Sequence, residues 1–188
     1  MNLICRKTSM NEMMELLQKD GYRLRAPEPE DLECMIQFEN TTAMWEVSCV
    51  TGPYSRFYLK QYLESNKNDL YMDGQLRLMI ESPEKQVVGI IDLFNFSPFH
   101  NRAEVGIVVA ETFRNQGIGQ LALELLVTYC FHYLGIHQLH ASIDVTNSTS
   151  RRLFQKCGFE ECAYLKNWMR TGQTYRDVVM VQRLVSNS

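Results

Sequence analysis

The chain has 188 residues, of which 45% are hydrophobic and 22% are charged, and its formal net charge is −3. These proportions are those of a globular protein with one domain, and the small negative charge gives no electrostatic support for a nucleic-acid partner. No apolar run approaches the roughly 20 residues that a bilayer-spanning helix needs, and the N-terminus has no signal-peptide core. We therefore expect a cytoplasmic protein that does not associate with a membrane.

Cysteine and histidine spacing predicts neither disulfides nor a metal site. The six cysteines are scattered without a C-x-x-C pair, and the four histidines fit no zinc pattern. Reduced, mostly packed thiols are the expected state.

Residues 1–20 are predicted to form a helical N-terminal arm, because Met10, Met13, Met14 and Leu17 recur at helical spacing. Residues 21–188 are predicted to form one domain. Its predicted strands are residues 22–26, 75–81, 86–96, 103–110, 137–145, 159–170 and 175–184. Its predicted helices are residues 30–39, 54–66, 118–134 and 148–156.

The resulting order is β-α-α-β-β-β-α-β-α-β-β. Short turns join the three consecutive strands, which predicts antiparallel pairing there. The pattern therefore indicates an α/β (α+β) domain with a mixed, mostly antiparallel sheet of about seven strands, flanked by helices.

The segment Arg114-Asn115-Gln116-Gly117-Ile118-Gly119 has the composition of a phosphate-binding loop. It follows a Val-rich strand and begins the longest helix, whose first N–H groups have no partner within the helix. Gly117 and Gly119 carry no side chain, so a ligand's phosphates can approach the backbone, and Arg114 adds positive charge. We interpret the segment as a pyrophosphate cradle.

The same glycines also fit the dinucleotide fingerprint G-x-G-x-x-A. In a Rossmann unit, however, the glycines follow the strand directly, whereas Glu111 to Gln116 intervene here, and about half the chain lies upstream. A nicotinamide-dependent dehydrogenase is therefore the weakest hypothesis.

The spacing Arg-x-x-Gly-x-Gly after a Val-rich strand instead resembles the acetyl-CoA motif of the GNAT N-acetyltransferase superfamily. The resemblance covers about residues 21–184 and includes Asn147 and the segment LFQKCGF at residues 153–159. The segments NRAEVG at residues 101–106 and YRDV at residues 175–178 are typical of a narrower branch. That branch contains spermidine N-acetyltransferases and the acetyltransferases of ribosomal-protein N-termini.

The resemblance implies an N-acetyltransferase fold with acetyl-CoA as co-substrate, no metal, and direct transfer in a ternary complex. It places the pantetheine arm on the backbone of the Val-rich strand, which would also donate to the thioester carbonyl. Asn147 either bonds to the CoA arm or caps the following helix, and Lys156 either reaches CoA phosphates or is a solvated side chain. The residues predicted to bind acetyl-CoA are Ile107, Val108, Val109, Arg114, Asn115, Gln116, Gly117, Ile118, Gly119, Gln120, Asn147 and Lys156.

Two carboxylates are candidates for the catalytic base that deprotonates the amine. Glu104 and Asp92 each interrupt an otherwise apolar strand pattern, and a charge there is costly unless it is paired or used. The alternatives are a solvent-facing Glu104 and an Asp92 that forms a salt bridge with Arg77 or Arg102.

The chain departs from the resemblance at Phe154, where many relatives carry a tyrosine usually assigned to protonate the leaving thiolate. Phenylalanine has no proton to give. The proton then comes from water or from another tyrosine, for which Tyr129, Tyr164 and Tyr175 are the candidates. Alternatively no proton donor is needed, because a thiol pKa near 8.5 makes thiolate a fair leaving group.

The acceptor is expected to be a small amine, first a polyamine such as spermidine, or alternatively a peptide N-terminus or protein side chain. Residues 40–63, including Trp45, are expected to line the acceptor side. Spermidine enzymes of this branch commonly have an acidic pair where this chain has Thr51-Gly52. A non-catalytic acyl-CoA-binding module is a further alternative, and exposed strand edges make a homo-oligomer plausible.

Overall fold

One mixed sheet organises the computed structural model, which describes residues 15–41 and 52–185. Its strands are β1 (Gln18–Lys19), β2 (Tyr22–Arg25), β3 (Leu76–Glu81), β4 (Val87–Ser97), β5 (Arg102–Val109), β6 (Gln138–Asp144), β7 (Glu160–Thr171) and β8 (Thr174–Leu184). Their order across the sheet is β1-β2-β3-β4-β5-β6-β8-β7. Neighbouring strands are antiparallel except β5 and β6, which are parallel.

Helices cover both faces of the sheet. They are α1 (Leu32–Glu39), α2 (Arg56–Ser65), the short α3 (Leu70–Asp73), α4 (Ile118–His132) and α5 (Ser148–Lys156), with 3₁₀ turns at Pro29–Asp31 and Glu111–Phe113. Side-chain oxygens begin several of them: Ser55 accepts from Tyr58 N at 3.1 Å, and Asp69 accepts from Tyr71 N at 2.9 Å. Such caps satisfy N–H groups that have no partner within the helix.

Helices α1 and α2 lie against β3 and β4. The buried apolar side chains between these layers are Met35, Leu59, Met79 and Ile90. Asn40 also ties the two helices together, because its side chain bonds both the N–H and the C=O of Tyr54, at 2.9 and 3.0 Å.

Helices α4 and α5 cover the opposite face, where the larger core lies. Leu123, Leu126 and Cys130 of α4 have no exposed surface and pack with Ala103 and Val105 of β5. Burying a leucine side chain in this way contributes roughly 1.5–3 kcal/mol. This packing fixes α4 against β5.

The close pairing of β4 and β5 depends on Gly89. A Cβ at this position would lie 2.5 Å from the carbonyl oxygen of Val108, a distance that no side chain tolerates. Only glycine therefore permits the strands to run side by side at this point.

The structure confirms the predicted fold class, with β1 and α3 added to the predicted elements. Of the arm predicted for residues 1–20, residues 1–14 lie outside the described residues, and Gln18–Lys19 form a strand paired with β2 rather than a helix. Trp45 and Thr51 also lie outside the described residues. No helix in the described part of the chain is long and apolar enough to cross a membrane.

Candidate active site

Strands β5 and β6 pair only over their first residues. Their register ends at the pair Glu104–His140, although β5 continues to Val109 and β6 to Asp144. Strand β6 meanwhile stays paired with β8 as far as Asp144. A gap therefore opens between β5 and β6, with its closed end at Glu104 and His140.

Beyond Glu104, the edge of β5 that faces β6 has no strand partner among the described residues, whereas the opposite edge stays paired with β4. An extended ligand arm can bind there in the manner of an added strand, using main-chain hydrogen bonds. The sequence-predicted positions on this edge are Ile107, Val108 and Val109.

The open end of the gap meets the start of α4. Gly117 is the N-cap residue, with a φ of 82°, and no side chain caps the helix. The N–H groups of the first turn are therefore left for a ligand, and the helix dipole favours an anion. Arg114 lies beside them and is fixed by a 3.0 Å hydrogen bond from its Nε to the carbonyl of Val109.

Two predicted ligand side chains are engaged within the protein instead. The Gln116 amide donates to the Thr112 carbonyl at 3.1 Å, and the Gln120 amide donates to Glu124 at 2.9 Å. These bonds hold the loop and the first turns of α4 and engage one N–H of each glutamine side chain.

Gly119 is the point at which α4 packs against α5. A Cβ there would lie 3.4 Å from Leu153, so the space beside Gly119 is filled by protein. The thiol of Cys157 also lies 3.8 Å from the Gln120 carbonyl. The last turn of α5 therefore sits beside the first turn of α4, which places the exposed Lys156 near the cradle.

Asn147 follows β6 at the other side of the gap. Its Oδ1 accepts a hydrogen bond from Ser150 N at 3.0 Å, so the helix-capping alternative is the arrangement observed. The N–H donors of the same amide have no partner among the described residues. One side chain can therefore cap α5 and still donate to a ligand in the gap.

The two candidate carboxylates lie on the same face of the sheet. Asp92 is paired with Gly106 and Glu104 with Phe94, so the two acids are diagonal neighbours on β4 and β5. The ring of Phe94 lies over Gly106, where a Cβ would come within 3.1 Å of it. This face is the one that α1 and α2 partly cover.

Asp92 is held by Arg77, one of the two salt-bridge partners considered from sequence. Arg77 Nε and Nη2 donate to its two oxygens at 3.0 and 2.8 Å, and Arg77 Nη1 bonds Glu39 at 2.5 Å. The guanidinium also lies 5.6 Å from the ring centroid of Tyr62. Beside this group is a cavity of about 280 Å³ lined by Gln75, Leu76, Arg77, Asp92, Leu93 and Phe94.

Glu104 is half-buried and has no arginine bound to it in the described residues. Its Oε2 accepts from Asn95 Nδ2 at 2.9 Å. Burial lowers the pKa of the neighbouring His140, an effect that the negative charge of Glu104 opposes. Sequence reasoning did not single out His140 for this site, because only the parallel register places it beside Glu104.

Phe154 is buried, and its ring meets the edge of Phe159 with centroids 5.0 Å apart. Among the tyrosines considered as substitutes, burial raises the pKa of Tyr129 to about 12, which makes it a weak proton donor. The Tyr164 hydroxyl donates to Asp177, and this bond raises the pKa of Tyr164. The exposed Tyr175 lies on β8.

An open strand edge, an uncapped glycine helix start and a carboxylate at the closed end of the gap define a class of protein. They are the parts required to hold an extended thioester carrying phosphates and to deprotonate a nucleophile beside it. Among the described residues, no group of three His, Cys, Asp or Glu side chains is arranged to hold a metal ion. The fold and site are those of a CoA-dependent acyltransferase.

Residues 22–160 match the family model of the acetyltransferase (GNAT) domain, and the chain belongs to this family of N-acetyltransferases. It is 24% identical over 155 residues to the spermidine N(1)-acetyltransferase of Vibrio cholerae, covering 82% of this chain and 88% of that relative. A crystal structure of spermidine N-acetyltransferase from Vibrio cholerae in complex with CoA and spermine has the same fold. Its TM-score is 0.78 at 24% identity, over 88% of this chain and 96% of that one. A dodecameric structure of the Vibrio cholerae enzyme in an intermediate state gives a TM-score of 0.74 at 24% identity, over 88% and 95% of the two chains.

Proposed function

We propose that this protein transfers the acetyl group of acetyl-CoA to a primary amine of a polyamine such as spermidine. Transfer is direct, in a ternary complex of protein, acetyl-CoA and amine. The observation that carries the proposal is the gap between β5 and β6, which closes at Glu104. The gap gives the thioester an extended binding edge that ends beside a carboxylate without an arginine partner among the described residues.

In this proposal, each part of the site has one task. The β5 edge at Ile107 to Val109 binds the pantetheine arm, and the start of α4 with Arg114 binds the pyrophosphate. Lys156 supplies further positive charge, and the Asn147 amide donates to the arm. A β5 N–H polarises the thioester carbonyl, which stabilises the negative charge that develops on its oxygen.

Glu104 removes a proton from the bound ammonium, directly or through a water molecule. An amine of pKa near 10 arrives mostly protonated at neutral pH, so this step is required before attack. The amine lone pair then attacks the carbonyl carbon, the C–S bond breaks, and CoA leaves as thiolate, which takes up the second amine proton through water.

The charge beside Asp92, on the sheet face that α1 and α2 partly cover, supports a cationic substrate. Arg77 binds the carboxylates of both Glu39 and Asp92, so this group of three side chains has an excess of one negative charge, which attracts a cation. The names of the relatives point to the same substrate class. By the same comparison we propose that the protein forms a homo-oligomer.

A specific observation favours a second candidate, a module that binds acyl-CoA without catalysis. Phe154 replaces the tyrosine that the resemblance assigns to the leaving thiolate, and its ring is packed in the core. The cradle and the gap would then serve binding alone.

The test is release of free thiol from acetyl-CoA by purified protein with a panel of amines. The panel contains spermidine, spermine, putrescine, free amino acids and short peptides with ribosomal-protein N-termini. We expect the highest kcat/KM with spermidine or spermine. A preference for peptides would instead assign N-terminal acetylation, and CoA binding without transfer to any amine would assign the non-catalytic module.

A further inference from the structure

The side chain of His140 has a buried nitrogen without a hydrogen-bond partner. Its Nδ1 is shielded from solvent and bonds to nothing among the described residues. Buried polar atoms are nearly always paired in native proteins, because an unpaired one loses stability. The partner of this nitrogen therefore lies outside the described residues, and water or a substrate in the site can supply it.

The position of His140 connects this nitrogen to the proposed chemistry. Glu104–His140 is the last pair of the β5–β6 ladder, directly before the gap opens. Residues paired across parallel strands present their side chains on the same face of the sheet. The imidazole thus stands beside the carboxylate at the closed end of the gap.

The surroundings of His140 favour the neutral imidazole. Burial lowers its pKa, the positive charge of Arg102 lowers it further, and the negative charge of Glu104 opposes both effects. On its other side it is paired with the uncharged Gln182 of β8, whose amide oxygen accepts from Gln138 at 3.1 Å. A neutral imidazole is able to accept a proton at pH 7.

We propose that His140 is a positioning residue that takes from Glu104 the proton that Glu104 has removed from the acceptor amine. This inference rests on the proposed acetyl transfer. The ammonium gives one proton to the Glu104 carboxylate, which passes it to an imidazole nitrogen of His140 and is ionised again. The amine then attacks, the C–S bond breaks, and the second amine proton leaves with the thiolate. His140 returns its proton to solvent, so one proton is released in each turnover.

The first test compares His140→Gln with His137→Gln, the same change at an exposed histidine one strand position outside β6. We expect His140→Gln to lower kcat/KM for spermidine about 10- to 100-fold at pH 7.5, since loss of an acid–base group costs rate. The fall in wild-type kcat/KM below the ordinary histidine pKa should also disappear in this variant. The CoA affinity of His140→Gln, measured by calorimetry, should match that of wild type. The pH profile of kcat/KM for His137→Gln should also match that of wild type.

Superimposable pH profiles of His140→Gln and wild type would overturn the relay while leaving acetyl transfer intact. Wild-type protein that acetylates no amine would instead reject the proposed function, and the relay with it.

A second test does not require activity or a folded His140 variant. The imidazole of His140 is titrated by NMR in wild type and in Glu104→Gln. Its pKa should fall in the variant, because the carboxylate that stabilises the imidazolium is gone. An unchanged pKa would show that the two side chains do not interact and would exclude the relay.

Discussion

Arg77 binds both carboxylate oxygens of Asp92, with Nε 3.0 Å from Oδ1 and Nη2 2.8 Å from Oδ2. Although burial disfavours the charge, the carboxylates of Asp92 and Glu39 raise the pKa of Arg77. The guanidinium therefore stays protonated and occupies both oxygens of Asp92. An acid whose two oxygens are occupied in this way is a poor proton acceptor, whereas Glu104 accepts one bond from the neutral Asn95.

This difference predicts unequal effects of removing the two charges. Glu104→Gln should lower kcat for spermidine by about 100-fold or more at pH 7.5, whereas Asp92→Asn should lower it less than about tenfold. Asp92→Asn should instead lower the melting temperature, since it leaves the buried Arg77 with one fewer charged partner. Steady-state kinetics measures kcat and thermal denaturation measures the melting temperature, and Glu160→Gln at an exposed position is the matched control. Equal losses of kcat would mean that Asp92 takes part in proton transfer.

The two ends of α4 offer a matched test of the phosphate cradle. Gly117 and Gly135 both have positive φ, 82° and 65°, and a Cβ at either would meet nothing within 4 Å. Alanine at each should therefore cost a similar 1–2 kcal/mol, roughly, in backbone strain. Only Gly117→Ala should also weaken CoA binding, by about tenfold or 1.4 kcal/mol, because it disturbs the N–H groups of the first turn. Calorimetric titration measures the CoA affinity of both variants. Equal affinities of Gly117→Ala and Gly135→Ala would show that the start of α4 does not bind the CoA phosphates.

Much of the fold was predictable because the sequence of each main strand and helix has clear hydrophobic periodicity. Strand β1 was not, since Gln18 and Lys19 lie in a helical pattern of methionines and leucines, and their strand depends on pairing with β2. The short α3 was missed because four residues carry too little periodicity, although Asp69 caps it.

The site was predictable in its residue types and less so in its contacts. Gly117 and Arg114 were identifiable because the loop has a local pattern. Among the described residues, Asp92 and not Glu104 binds an arginine because Arg77 of β3 lies beside it on β4. The sequence indicates this contact only as one of two alternatives. The role of His140 depends on the register of two strands far apart in the chain, which no local pattern encodes.

The ion pairs of Glu81 with Arg23 and Arg25 predict that the free energy of unfolding falls at acidic pH. Its Oε1 accepts from Arg23 Nε at 2.7 Å and its Oε2 from Arg25 Nε at 2.6 Å. The bond from Arg23, opposed by burial and supported by Arg25, lowers the Glu81 pKa from 4.5 to about 2. A depressed pKa adds stability that is complete above the unfolded value of 4.5 and is lost as the pH falls towards 2. The shift corresponds to about 3 kcal/mol.

Urea unfolding at pH 7 and pH 3 measures this contribution. Glu81→Gln should unfold at lower urea concentration at pH 7, and the difference from wild type should narrow at pH 3. The Asp31 carboxylate, whose pKa is also lowered, keeps part of the pH dependence in the variant. Exposed Glu160→Gln should follow wild type at both pH values. A constant difference between wild type and Glu81→Gln across pH would show that Glu81 acts through packing and not through its charge.

The ring pair Phe154–Phe159 permits a direct test of the missing proton donor. Both rings are buried, 2% and 3% exposed, so a hydroxyl added to either should cost about 1–3 kcal/mol if it finds no partner. If position 154 faces the CoA sulfur, as the family resemblance implies, CoA supplies that partner only in Phe154→Tyr. CoA should therefore raise the melting temperature of Phe154→Tyr more than that of wild type or Phe159→Tyr. The added hydroxyl should also protonate the leaving thiolate and so raise the kcat of Phe154→Tyr for spermidine by up to about tenfold. Identical responses of the two tyrosine variants to CoA would place residue 154 away from the thioester and leave water as the proton source.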